Sequence, residues 1–286
     1  MEKILARCLQ NVKSYGIMKK NSEVLSMRIA LAQTEIFSKQ YEKNKKTALS
    51  ICNLAQAMEV RLLLFPEMSF TGFNMDTDYS IAAGLDTVPW MQKLATTGQC
   101  YLGFGWVKAT KSGKAENHYS IVAPDGSLFF DMVKLHPFSY AQEDQFFEKG
   151  NALPTCEIDG IRFGCLICYD LRFPEVFSAL APKTDCILVP ANWPERRKLH
   201  WCSLLTARAI ENQVYVAGIN CVGTQDGLHY SGDSRFIAPD GTILQDCRSA
   251  SGCFVCDLSA KTVAETRQAF PVQKDRRPDF YRSILL

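Results

Sequence analysis

The stretch Ile161-Arg162-Phe163-Gly164-Cys165-Leu166-Ile167-Cys168-Tyr169-Asp170-Leu171-Arg172-Phe173-Pro174-Glu175 decides the fold. An apolar run with a glycine inside it reads as a buried strand that packs closely against a neighbour. The run gives way at Cys168 to polar residues and then to Pro174, which suits a first helical turn because its missing N–H is not needed there. The pattern predicts strand, tight turn and helix start, with a thiol at the turn. A nucleophile at such an elbow is exposed at the strand end, where backbone N–H groups hold an oxyanion. A helix N-terminus there would also favour thiolate over thiol. The reading is acyl transfer through a cysteine.

Working outward, strand and helix signals alternate from residue 28, which argues an α/β fold. Strands are expected at Arg28 to Gln33, Arg61 to Phe65, Tyr101 to Val107, Cys186 to Pro190 and Gln213 to Asn220. Helices are expected at Tyr41 to Glu59, near Val88 to Thr96, and at Leu199 to Asn212. Tyr119 to Ala123 and Leu128 to Val133 flank Pro124-Asp125-Gly126, a hairpin turn. Ser234 to Ala238 and Thr242 to Asp246 flank Pro239-Asp240-Gly241 in the same way. The tetrapeptide Ala-Pro-Asp-Gly thus recurs in one context, at 123–126 and 238–241. Leu62 to Pro66 and Ile187 to Pro190 also both run as apolar strands into a proline, so two related halves are expected.

Composition bounds the partners. With 286 residues, 47% hydrophobic and 22% charged, the chain is an ordinary globular protein. A net charge of +2 gives no electrostatic case for nucleic acid or an anionic membrane. No apolar run approaches the roughly 18–20 residues of a membrane span. Twelve scattered cysteines without a secretory signal read as reduced thiols in a cytoplasm. Cys52, Cys100, Cys186 and Cys221 lie in apolar patterns, where a thiol acts as a small core residue. Residues 1–26 carry Lys3, Arg7, Lys13, Lys19 and Lys20 in a weakly amphipathic pattern, but Glu2 and Glu23 argue against a transit peptide. They read as a dispensable extension, with Met27 as the expected initiator. Residues 271–286 read as a charged tail that wraps a neighbour or frays.

Three expected strands end on an ionisable group: Glu67, Lys134 and Cys168. Strand ends converge on one rim of an α/β sheet, so distant positions can share a site. Each residue taken alone has a bland reading, as a loop carboxylate, a solvated strand end and one cysteine among twelve. Together they suffice for amide hydrolysis. The carboxylate takes the thiol proton and later activates water, while the ammonium stabilises the oxyanion.

Residue identities narrow this further. Phe65-Pro66-Glu67, Lys134-Leu135-His136, Gly164 through Glu175 and Asn192-Trp193-Pro194 occur in the order of the nitrilase (carbon–nitrogen hydrolase) superfamily. The chain resembles that superfamily over about 27–270. Within it, the stretches Asn192 through Gly218 and His229 to Arg235 are similar to those of ω-amidases. The resemblance implies a four-layer α-β-β-α sandwich with internal duplication. It implies Glu67 as general base, Lys134 as oxyanion-stabilising cation and Cys168 as nucleophile. It adds Glu143 as a second active-site glutamate, with Asp144 and Glu148 as alternatives. Tyr169 would lend its N–H to the oxyanion, and Asn192 and Trp193 would line the substrate pocket. Arg172 would pair with a carboxylate, either structural or the substrate's. The implied reaction hydrolyses the distal amide of a 2-oxo dicarboxylic acid monoamide, 2-oxoglutaramate or 2-oxosuccinamate, without cofactor or metal, in a homo-oligomer. Pro137 and the short loop from Lys134 to Glu143 depart from the usual pattern and bear on pocket shape.

Rival readings are a nitrilase or an N-carbamoyl amidohydrolase using the same triad, and chemistries that do not use it. Cys165 and Cys168 form a C-x-x-C, the signature of a thiol–disulfide oxidoreductase. In a strand, however, positions i and i+3 face opposite sides, which turns Cys165 into the core. A zinc site with Cys253 and Cys256 would need turns where Phe254-Val255 reads as strand. A Cys–His pair would draw on His118, His136, His200 or His229, none at a supporting spacing; His200 with Trp201 reads as packing at a helix start.

Overall fold

A computed structural model describes residues 26–285, so the extension read over 1–26 lies, but for Ser26, outside the described residues. The alternating signals resolve into two six-stranded mixed sheets. In the first, β1 (Met27–Gln33), β2 (Leu62–Leu64) and β3 (Tyr101–Ala109) are parallel. The hairpin of β4 (Ala115–Val122) and β5 (Leu128–Val133) extends it on one side, and β14 (Gly252–Leu258) pairs antiparallel to β1 on the other. In the second, β6 (Thr155–Ile158) pairs antiparallel to β7 (Ile161–Cys165). Then β8 (Cys186–Pro190) and β9 (Tyr215–Ile219) follow in parallel, with the hairpin of β12 (Arg235–Ile237) and β13 (Ile243–Asp246) beyond. Both sheets therefore read antiparallel edge, three parallel strands, hairpin. A separate hairpin, β10 (Val222–Gln225) with β11 (Leu228–Ser231), stands apart from both.

The duplication extends to the atoms of the two turns. Ala123 N–H donates to Ser127 O at 2.9 Å, and Ala238 N–H to Thr242 O at 2.8 Å. The Asp125 and Asp240 carboxylates accept from the N–H two residues on, at 2.8 and 2.9 Å. Gly126 and Gly241 take φ of 85° and 90°, a conformation glycine adopts without steric cost.

Strand alternation builds the layers. Leu31, Leu62 and Leu64 turn inward and share one core with Phe163, Ile187 and Val189 of the second sheet. Ala30, Ala32 and Leu63 turn outward onto the helices α1 (Tyr41–Ala57) and α2 (Thr77–Gly98), meeting Ile51, Met91 and Ala95. A single helical turn, α3 (Glu143–Phe146), follows β5, and α4 (Pro174–Leu180) and α5 (Lys198–Asn212) cover the second sheet. A Cβ on Gly164 would lie 2.6 Å from Leu180, and one on Gly218 would lie 2.5 Å from Leu205. Those two glycines set how closely α4 and α5 sit on the sheet. The result is the α-β-β-α sandwich.

The thiol sits on a turn as expected: a 3-10 turn spans Cys168–Arg172, and α4 starts at Pro174. Two expectations need correction. The helix expected near Val88 to Thr96 begins instead at Thr77, where the Asp76 side chain accepts from Tyr79 N–H at 3.1 Å. Gly84 and Pro89 blur its signal in the sequence. Gly84 is there because a Cβ would meet Val107 O at 2.1 Å, so packing outweighs propensity. The tail does not fray throughout. Arg276 donates to Ser178 O at 3.2 Å and Gln273 to Glu211 O at 3.1 Å, laying it on α4 and α5, before α7 (Pro278–Leu285). α6 (Ala260–Ala269) precedes it. Among the described residues, no helix is long and apolar enough to cross a membrane.

Candidate active site

The ends of β2, β5, β7 and β8 converge on one rim, carrying Glu67, Lys134, Cys168 and Asn192. Lys134 and Glu67 are buried, against the solvated reading each would have alone. The Lys134 ammonium donates to Glu67 Oε1 at 2.8 Å and to Glu143 Oε1 and Oε2 at 3.0 and 2.8 Å. Of the three acidic residues considered after Lys134, Glu143 is the one placed here. Asp144 lies near Gln145, and Glu148 accepts from Thr110. The short loop makes this possible: Gln142 adopts φ 59°, and Phe138 N–H donates to Glu143 Oε2 at 2.6 Å.

Charge in this cluster is held against burial. Desolvation works against the Lys134 ammonium, but Glu143 and Glu67 outweigh it and keep its pKa well above the ordinary lysine value. Burial pushes the Glu143 carboxyl up, with Lys134 opposing. The Cys168 thiol is pushed well above its usual range by burial first and by the facing Glu67 carboxylate second, with Lys134 opposing. This reverses the expectation of a helix-stabilised thiolate. Cys168 is 8% exposed and takes φ 50°, a left-handed conformation costing about 1–2 kcal/mol for a non-glycine residue. Its Sγ lies 3.9 Å from Asn192 O.

Asn192 lines the cavity above the sulfur, but its side chain is engaged with protein. Its Nδ2 donates to Glu67 O at 2.6 Å and its backbone N–H to Glu67 Oε2 at 3.0 Å. Its Oδ1 accepts from Gln225 Nε2 at 3.1 Å. Asn192 holds Glu67 across the two halves rather than offering its amide to a ligand. Asn117, which the sequence reading left outside its strand, does similar work: Nδ2 donates to Glu67 Oε1 at 2.9 Å and to Glu143 Oε1 at 3.2 Å. An asparagine inside a buried strand was the available signal. Asp170 ties the Lys134 loop to the thiol turn, accepting from Ile167 N–H at 2.9 Å, His136 N–H at 2.9 Å and the His136 ring at 2.7 Å. His136 is thereby spoken for.

The Glu67 turn rests directly on β3. A Cβ on Gly105 would fall 2.2 Å from Met68 N and 2.9 Å from Glu67 Cα. Gly105→Ala should therefore displace Glu67. The expected outcome is about 2 kcal/mol lower stability in urea unfolding, from overpacking. A loss in kcat of about 100-fold should accompany it, since small misplacements near reacting groups cost that much.

Over the sulfur lies a cavity of about 110 Å³. Tyr169 and Trp193 form part of its wall, with Phe138 packed on Tyr169 at 4.8 Å. Its lining includes Lys134, Arg172, Arg196 and Arg197 and no acidic residue. Arg172 pairs with no carboxylate of the described residues: it faces the His200 ring nitrogen at 3.3 Å and stacks over Trp193 at 4.7 Å. Burial lowers the Arg197 pKa, and the Arg196 and Arg172 charges lower it further. Cys165 is buried in the inter-sheet core and, like Cys168, is a free thiol. Among the described residues no group of three or more His, Cys, Asp or Glu is placed to hold a metal ion.

Two stacked mixed sheets of duplicated plan carry a Glu–Lys–Glu cluster beside a buried thiol at their rim. The chain belongs to the carbon–nitrogen hydrolase family, whose model matches residues 28–268, and is a hydrolase of carbon–nitrogen bonds such as those of amides. It is similar to the omega-amidase YafV of Escherichia coli (strain K12), 41% identical over 75% of this chain and 83% of that one. It is also similar to the 2-oxoglutaramate amidase of Bacillus subtilis (strain 168), 31% identical over 86% and 95%. Among solved structures, XC1258 from Xanthomonas campestris, a CN-hydrolase superfamily protein with an arsenic adduct in its active site, aligns with a TM-score of 0.81. That pair is 30% identical, over 88% of this chain and 97% of the other.

Proposed function

We propose that the protein hydrolyses the distal amide of a small 2-oxo dicarboxylic acid monoamide, 2-oxoglutaramate or 2-oxosuccinamate, through a thioester on Cys168. One observation carries the reading: a buried thiol faces the Glu67 carboxylate at the floor of a cavity lined by guanidinium groups and by no acid. The named relatives, an omega-amidase and a 2-oxoglutaramate amidase, support the same substrate class.

In this proposal Glu67 takes the Cys168 proton, which the raised thiol pKa makes necessary. The sulfur attacks the amide carbon, and the oxyanion is met by the Lys134 ammonium and the Tyr169 N–H, one of the first N–H groups of the 3-10 turn, which lack intrahelical acceptors. Glu67 returns the proton to the departing nitrogen, and ammonia leaves. Glu67 then deprotonates water, which attacks the thioester and regenerates the thiol. Glu143 holds Lys134 in place throughout. The guanidiniums of Arg172, Arg196 and Arg197 receive the remote carboxylate.

The same cations set a preference. An α-ammonium, as on glutamine, would enter a cationic lining with no carboxylate to meet it. Ammonia release is therefore expected to be at least about 100-fold faster, per kcat/KM, on 2-oxoglutaramate or 2-oxosuccinamate than on glutamine. A simple nitrile and an N-carbamoyl amino acid complete the assay. Turnover of the nitrile alone would overturn the substrate while leaving the triad in place.

A further inference from the structure

The β10–β11 hairpin brings one polar group into the cavity that the mechanism above does not use. Tyr230 is 2% exposed and lines the cavity beside Cys168 and Lys134. Its ring is buried, and its hydroxyl makes no hydrogen bond with any described residue and opens to the cavity. The ring is not free to swing away. Tyr230 sits opposite Gly223 in the hairpin register and packs with Ile36, Cys221 and Leu228. Burial raises its pKa, and the neighbouring Cys221, Cys168 and Glu67 raise it further, so the group is a neutral O–H donor at any working pH.

The other buried donors in the cavity already have tasks, and Tyr140, which also lines it, is 77% exposed. Lys134 and the Tyr169 N–H face the scissile carbonyl, and the guanidiniums suit an anion. An uncharged donor with nothing to bind suits an uncharged acceptor. We propose that Tyr230 is a specificity-determining residue, its O–H donating to the 2-oxo oxygen of the substrate. Resting on the amidase reading above, this assigns recognition of the keto group to the hairpin and not to the sandwich. A site built around such a bond disfavours the analogue lacking the partner, because the phenol is then left buried and unpaired.

The test compares wild type with Tyr230→Phe on 2-oxoglutaramate and on glutaramate, which keeps the carboxylate and the distal amide but has a methylene in place of the keto group. The expected result is a loss of about tenfold in kcat/KM on 2-oxoglutaramate, carried by KM, and a change within about twofold on glutaramate. A second readout needs no turnover: the advantage of 2-oxoglutarate over glutarate as a competitive inhibitor should shrink by about the same factor. Equal losses on both amides, or no loss on either, would overturn the assignment and leave the amidase reading standing. A wild-type protein inactive on both amides would overturn that reading, and this inference with it. An unchanged urea midpoint in Tyr230→Phe shows that the fold is not the cause.

Discussion

Glu67→Gln is expected to fold and to lose at least about 1,000-fold in kcat for ammonia release, the scale of a lost general base. The size of the effect comes from the raised thiol pKa: without the carboxylate, Cys168 has no acceptor for its proton. The geometry sets a smaller structural cost. Glu67 Oε1 accepts from Lys134 and Asn117, and Oε2 accepts from the Asn192 N–H. Glutamine can place an oxygen at one of these positions only, and its NH2 then faces a donor at the other. A loss of about 1–2 kcal/mol in urea unfolding should accompany the kinetic effect. A Cys–His enzyme built on any of the four histidines would lose little activity, so retention of turnover would sink the assigned role of Glu67.

Lys134→Met should remove activity and destabilise the fold together. The ammonium is the cation paired with Glu67 and Glu143, both buried. Removing one partner of a buried ion pair costs about 3–5 kcal/mol, because the remaining charge stays uncompensated. Loss of the oxyanion contact adds a fall in kcat of at least about 100-fold. The pH dependence has a definite sign. Burial already raises the Glu143 pKa, and without Lys134 its main opposing influence is gone. A carboxyl raised in the folded state is protonated in both states below its unfolded value, roughly 4.3, and loses stability as pH rises through the folded value. The gap between variant and wild type should therefore widen from pH 5 to pH 8, as read by urea midpoints. A gap that narrows over that range would contradict the placement of Lys134 between the two carboxylates.

Much of the scaffold was legible in the chain because its signals are local. Leu128–Val133 and Cys186–Pro190 fall where apolar runs and turns put them. The repeated Ala-Pro-Asp-Gly turns anticipated the two matching sheets, since an Asp two residues before an N–H and a Gly able to take positive φ specify the turn by themselves. The short strands β6, β10 and β11 were not read. Each is four residues long, too short to carry a period of its own, and each exists because a partner strand lies beside it. The turn at the thiol and the helix start at Pro174 were legible, but what fastens the turn was not. Tyr169, Asp170 and Leu171 follow Cys168 in a 3-10 turn that Asp170 fastens to a loop more than thirty residues earlier.

Strand ends and family-like motifs singled out Glu67, Lys134 and Cys168, while Glu143 stood beside Asp144 and Glu148 as alternatives. Burial and pairing of these groups came from elsewhere. Asn192 reaches Glu67 across 125 positions and Asn117 reaches it across 50, so their work is invisible to any local pattern. The same holds for the cationic cavity and the unpaired Tyr230 hydroxyl, which are assembled from β5, the thiol turn, the loop after β8 and the β10–β11 hairpin. Residue types and short-range periodicity are properties of the chain. Desolvation and hydrogen-bond partnership depend on what else occupies the surrounding few ångströms, and only the folded packing of the two halves decides that.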